Sequence, residues 1–115
     1  MYSESEHTRK ASPKTLELYM NLKDRILELG DVETVVWQKY VAFKRRKNFC
    51  GIKVRKDRLR VKIYYPKGKL LDPENVAHDF PFETWGDDNY EAFVETDNDI
   101  DKVMNLIKQA YSLSK

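Results

Sequence analysis

Two groups of side chains in this sequence have types and spacings that could do chemistry. The first is a row of cations at alternate positions: Lys53, Arg55, Arg58, Arg60 and Lys62, preceded by Lys44, Arg45 and Arg46. Cations two residues apart on paired strands project to one side, where they can track the phosphates of a polyanion. Tyr64 and Phe49 are interleaved with them and are the candidates for stacking on bases. The second group is smaller. His78 next to Asp79 is an arrangement that orients an imidazole as a base, and Trp85 follows in the same stretch. These three are the candidates for a small-molecule pocket, although no serine or cysteine stands near His78 in sequence to serve as nucleophile.

Other chemistries are poorly supported. Cys50 falls on the apolar register of its strand and reads as a small buried hydrophobe. Asp97, Asp99 and Asp101 begin like a calcium loop, but Lys102 and Lys108 stand where that loop needs Gly and Glu. Two histidines and one cysteine do not make a usual structural zinc site. There is no Gly-rich phosphate loop and no Glu-x-Lys of a metal-dependent nuclease. No metal, cofactor or catalytic residue is therefore expected.

The charge is segregated. Thirteen of the 21 lysines and arginines fall between residues 39 and 69, against the single acid Asp57, while the net charge of the chain is only +2. Residues 70–115 carry 11 acids against three cations. Such a chain could attract an anion at one surface and repel it at another. A bland reading competes with the functional one. Like charges across a sheet repel, and Glu91, Glu95 or Glu33 could neutralise the row. Lys and Arg on exposed strands also discourage edge aggregation. Both readings stay open on sequence grounds.

The elements that position these residues follow from local signals. Residues 1–11 are polar and without periodicity, which reads as a flexible tail or linker. Ser12-Pro13 opens a helix that runs to Gly30, with Leu16, Leu18, Tyr19, Met20, Leu22, Ile26, Leu27 and Leu29 forming a wide apolar arc. Strands are expected over Glu33 to Trp37, Tyr40 to Lys44, Phe49 to Arg55 and Arg58 to Tyr65, with Lys56-Asp57 as a two-residue hairpin turn. In the last of these Leu59, Val61, Ile63 and Tyr65 point inward, so Arg58, Arg60, Lys62 and Tyr64 point outward. Asp72-Pro73-Glu74 is expected to start one helical turn, followed by an aromatic loop with Phe80, Phe82 and Trp85. Tyr90 to Glu95 is a final strand. Thr96 and Asp99 resemble a capping box before a C-terminal helix carrying Ile100, Val103, Met104, Ile107, Ala110 and Tyr111.

The chain of 115 residues, 41% hydrophobic and 35% charged, suits one globular domain, here residues 12–115. The expected fold is α+β: an antiparallel sheet of about five strands with an N-terminal and a C-terminal helix on one face. No apolar run reaches membrane-spanning length, the N-terminus is not that of a secretory signal, and the lone cysteine excludes an internal disulfide. A cytoplasmic protein is the expectation.

Several segments resemble a known family. They are Ser12-Pro13 through Leu29-Gly30, Tyr40-Val41-Ala42-Phe43-Lys44, Asn48-Phe49, Leu71-Asp72-Pro73, Ala77-His78-Asp79, Trp85-Gly86, and Asp99 through Tyr111. The chain is similar to a bacterial and archaeal domain of unknown function, found at the C-terminus of "predicted transport proteins" and beside endonuclease-like domains. Members often carry a histidine just before the Trp-Gly pair, where this chain has Thr84. The resemblance implies an accessory domain working with DNA-processing or restriction enzymes, and it carries over no catalytic residue. The leading expectation is a non-catalytic module that binds DNA, RNA or another polyanion through a basic sheet face. The alternatives are a protein-interaction domain for an acidic partner, including an endonuclease-like protein, and an unrecognised small-molecule enzyme using His78, Asp79 and Trp85.

Overall fold

The computed structural model describes residues 3–66, 68–79 and 89–114, with the backbone alone for Asp79 and Asn89. Among the described residues, three helices, α1 (Glu4–Thr8), α2 (Pro13–Leu27) and α3 (Asp97–Leu113), accompany six strands. The strands are β1 (Glu33–Val36), β2 (Val41–Lys44), β3 (Asn48–Val54), β4 (Leu59–Tyr64), β5 (His78–Asp79) and β6 (Asn89–Val94). They form one sheet in the order β1-β2-β3-β4-β6-β5, and every neighbouring pair is antiparallel. The fold is therefore α+β. Five strands make the sheet expected from the sequence, and the two-residue β5 adds a short edge beside β6.

The helix ends follow their capping residues. The Ser12 side chain accepts from the Thr15 backbone N–H at 3.2 Å, and Pro13 occupies the first helical position, where a missing N–H costs nothing. Thr96 caps α3 by accepting from the Asp99 N–H at 3.2 Å, and the Asp99 carboxylate accepts in return from the Thr96 N–H at 3.1 Å. Aspartate thus closes a capping box in which glutamate is usual. Gly30, with φ of 131°, takes the chain out of α2 and towards β1 in a conformation open to glycine.

The core lies between the helices and one face of the sheet. Leu18, Tyr19, Leu22 and Ile26 of α2 and Ile100, Val103, Met104 and Ile107 of α3 are buried there. They pack with Val41, Phe43, Cys50, Ile52, Leu59, Val61, Ile63 and Val94 of the sheet. The buried arc of α2 is narrower than its composition implied, because Leu16 and Met20 are 40% and 47% exposed. The Cys50 thiol is pushed well up by burial and is inert. Among the described residues no helix is long and apolar enough to cross a membrane.

Two expectations for local structure are corrected. Within the segment read as a flexible tail, residues 4–8 form α1, which is tied down by side chains distant in sequence. The Glu4 carboxylate accepts from Tyr19 Oη at 2.6 Å and from Lys23 Nζ at 2.7 Å, and His7 Nε2 donates to the Trp37 carbonyl at 2.6 Å. The Ser12 N–H also donates to the Lys56 carbonyl at 2.9 Å. The second correction concerns Asp72, which makes a turn and starts no helix. Its carboxylate accepts from the Val76 and Ala77 N–H groups at 2.9 and 2.8 Å, and Asn75 sits at a φ of 55°. His78 then begins β5 rather than lying in a loop.

The Glu4 tie makes the docking of α1 sensitive to acid. Burial pushes the Glu4 carboxyl up, but hydrogen bonds from Lys23 and Tyr19 and the nearby positive charges outweigh it and hold it below the ordinary 4.5. A carboxyl depressed on folding contributes stability above its unfolded pKa and loses it as pH falls through the folded value. Amide exchange of residues 4–8 is therefore expected to be slowed at neutral pH and to quicken as the pH drops below about 4.5, before the core strands open. Protection of α1 that persists unchanged at lower pH would contradict this tie.

Candidate functional site

Register decides which side chains share the uncovered face of the sheet. Residues paired across an antiparallel ladder lie on the same side. Leu59, Val61 and Ile63 of β4 turn to the helices, so Arg60, Lys62 and Tyr64 turn away from them. Lys53 of β3 stands directly across from Arg60, and Phe93 of β6 is opposite Arg60 on the other side. A second row runs Gly51, Lys62, Glu91, His78 across β3, β4, β6 and β5. Arg55 and Arg58 flank the hairpin turn, joined by the Arg55 N–H to the Arg58 carbonyl at 2.9 Å. They follow Val54 and precede Leu59, so they fall on the same outer side.

At the centre of this face is a carboxylate. Glu91 is only 3% exposed. Its Oε2 accepts from Arg60 Nε at 2.8 Å and Nη2 at 2.6 Å, and its Oε1 accepts from His78 Nε2 at 3.0 Å. The pair is nearly desolvated on the Glu91 side, so removing either cation would leave a poorly solvated charge. Phe93 lies against both ends of the cluster. The Arg58 guanidinium is 4.0 Å from its ring centroid and the His78 ring is 5.2 Å from it. Arg58 thereby covers an apolar ring while keeping its charge.

Lys53 shows the electrostatic character of the face. Burial, then the charges of Arg55, Arg60 and Lys39, hold its ammonium below the ordinary lysine range, with Glu91 the opposing influence. Lys62 Nζ lies 4.7 Å from the centroid of the Tyr64 ring. Burial, followed by the neighbouring Tyr40, pushes the Tyr64 hydroxyl up. Tyr40 itself lies over Gly51, where a Cβ would come within 2.9 Å of its ring. Glycine is needed at that point because an aromatic ring occupies the space of a side chain.

Two residues assigned to this face from sequence, Phe49 and Arg45, are placed differently. Phe49 is fully buried and packs edge-on against Tyr111 of α3 with ring centroids 5.3 Å apart. The cause is a β-bulge: Phe43 pairs with Cys50 but Lys44 pairs with Asn48, so Phe49 is an extra residue. Strict alternation would send it outward, and the bulge turns it into the core. Phe49 is therefore no stacking group for a ligand. Arg45 is likewise turned to the helix side, its guanidinium 4.5 Å from the Tyr111 ring centroid. The Arg46 N–H donates to the Ser114 carbonyl at 3.3 Å, which fixes this turn at the C-terminus of α3, where cations offset the helix dipole. Lys44 keeps to the outer register but stands across from Glu33.

Of the pocket candidates, His78 is on β5 with its side chain 47% exposed. Trp85 lies outside the described residues, as does the side chain of Asp79. Among the described residues, the carboxylate that hydrogen-bonds His78 is Glu91, thirteen residues away. The outward phase of β6 was the available signal, since the alternation that buries Val94 puts Glu91 on the side of Arg60. A separate groove of about 360 Å³ lies between α2 and α3, lined by Asn21, Asp24, Arg25, Asp97, Ile100 and Asp101. It is acidic and spanned by the Arg25–Asp101 ion pair, on the opposite side of the sheet from His78.

An antiparallel sheet with helices on one side and an Arg–Glu–His cluster on the other defines a small α+β domain. The chain belongs to the family described as Domain of unknown function (DUF5655), whose sequence profile matches residues 4–114. The match takes in α1 as well as the sheet and α3. An uncharacterized protein of Haemophilus influenzae (strain Rd) is 35% identical over 112 residues, which is 96% of this chain. The chain spans 37% of the length of that relative. No solved structure is significantly similar to the chain.

Proposed function

We propose that this domain is a non-catalytic accessory module that binds a polyanion, nucleic acid first, through the outer face of its sheet. The observation that carries the reading is the pairing of Lys53 directly across from Arg60, with Arg55 and Lys39 close enough to disfavour the Lys53 charge and Glu91 the opposing carboxylate. Arg60 is answered by Glu91, so the cost of like charge falls on Lys53 and its neighbours Arg55 and Lys39, and phosphates would relieve it. Lys53, Arg55, Arg58, Arg60 and Lys62 would lie along a backbone, with Lys44 at the edge and Tyr64 beneath. Sequence selectivity is not expected, because contacts to phosphates carry no base information.

The length of the Haemophilus relative supports a module within larger proteins, and an endonuclease-like domain or partner acting on the same strand is the context this reading favours. A prokaryotic cytoplasm suits it, where nucleic acid is at hand and the Cys50 thiol stays reduced. Anisotropy of a labelled single-stranded oligonucleotide at low ionic strength tests the proposal. Saturable binding with no cleavage of the oligonucleotide is expected. Absence of binding would remove the reading and favour an acidic protein partner, detectable in a pull-down that survives nuclease treatment.

A further inference from the structure

We propose that His78, Glu91 and Arg60 form a proton-linked subsite for a phosphodiester, in which phosphate binding is accompanied by proton uptake at His78. The inference rests on the polyanion reading above and adds a named position and a pH dependence to it.

One carboxylate is shared by Arg60 and His78. Glu91 is 3% exposed and has Oε2 committed to Arg60 and Oε1 to His78. A carboxylate only accepts, so His78 Nε2 is the donor in that contact and its proton is fixed there. Further protonation must occur at Nδ1. With a neutral imidazole the cluster has no net charge, because Glu91 cancels Arg60. An approaching phosphate then finds Arg60 already answered and a carboxylate behind it. With an imidazolium the cluster carries one net positive charge, and a phosphodiester can be matched by His78 and Arg60 together.

The charges that face His78 make the two events depend on one another. On β6 it meets Glu91 and the ring of Phe93. On β4, Arg58 reaches the same ring, Arg60 holds the same carboxylate, and Lys62 stands in register with Glu91. Lys53 of β3 lies beyond Arg60. Glu91 favours the imidazolium and these four cations oppose it. A bound phosphodiester offsets the cations, so it favours the proton, and by reciprocity the proton favours the phosphodiester. The His78 side chain is 47% exposed, which leaves it open to a ligand.

The test uses a labelled oligothymidylate, whose bases do not titrate in this range, at constant ionic strength. One linked proton can change affinity by at most about tenfold per pH unit, and a gain of roughly tenfold is expected between pH 8 and pH 6. His78→Gln keeps a donor for Glu91 and should abolish that gain. Glu91→Gln should bind several-fold more tightly than the native protein at pH 8, because Arg60 is then unanswered. Binding that is flat with pH, or a gain that survives in His78→Gln, overturns the subsite and leaves the polyanion reading standing. No binding at any pH overturns both.

Discussion

Reversing the charge at Lys53 is expected to weaken polyanion binding by tenfold or more at low salt while leaving the fold intact. Lys53 stands across from Arg60 and feels Arg55 and Lys39. A glutamate introduced there would remove one cation and offer a carboxylate to Arg55 and Arg60. Several counterion-releasing groups are thus silenced by one change, each worth a share of a steeply salt-dependent affinity. Opposite charges directly across strands also stabilise a sheet by roughly 0.2–1 kcal/mol, so the melting temperature of Lys53→Glu should hold or rise. Titration calorimetry with an oligonucleotide, paired with thermal denaturation, separates the two effects. Unchanged affinity in a folded variant would show that this face is not where a polyanion sits.

Phe49→Ala is expected to act in the opposite sense, costing stability and leaving the outer face as it was. The side chain is fully buried against Tyr111, and truncating a core phenylalanine costs about 3–5 kcal/mol. For a domain of this size each kcal/mol lowers the melting temperature by about 4–8 °C, so a fall of 12 °C or more is anticipated. Binding measured below that melting temperature should match the native protein. A stable Phe49→Ala that has lost nucleic-acid affinity would instead restore Phe49 as a ligand contact and refute the bulge-driven burial described above.

Much of this fold was legible because its signals are local. The Ser12-Pro13 start of α2, the Lys56-Asp57 hairpin, the alternation along Leu59 to Tyr64 and the Thr96–Asp99 box each act within a few residues. What escaped depended on partners far along the chain. Glu4 is held by Tyr19 and Lys23, and no periodicity within residues 4–8 announces those bonds. The bulge at Phe49 depends on how β2 and β3 pair, and one added residue sent a ring to the core. The same pairing leaves Arg45 on Tyr111 rather than at the edge of the outer face.

The candidate site shows the same division. Alternation located the sheet face of Lys53, Arg60 and Lys62, because period two is written into the residues themselves. The cluster at its centre joins β4, β5 and β6, and its geometry required a register that no single strand specifies. Glu91 was foreseen only as one of three acids that could neutralise the row. Its near-complete burial and its second contact, to His78, arise from the neighbours the sheet brings to it.

The measurement that bears most directly on a cationic face is the salt dependence of oligonucleotide affinity. If about four side chains each displace a counterion from a single strand, the logarithm of the association constant should fall against the logarithm of salt concentration with a slope of about −3. A slope near zero would mean that affinity comes from something other than phosphate contacts, and the outer face would lose its assigned role.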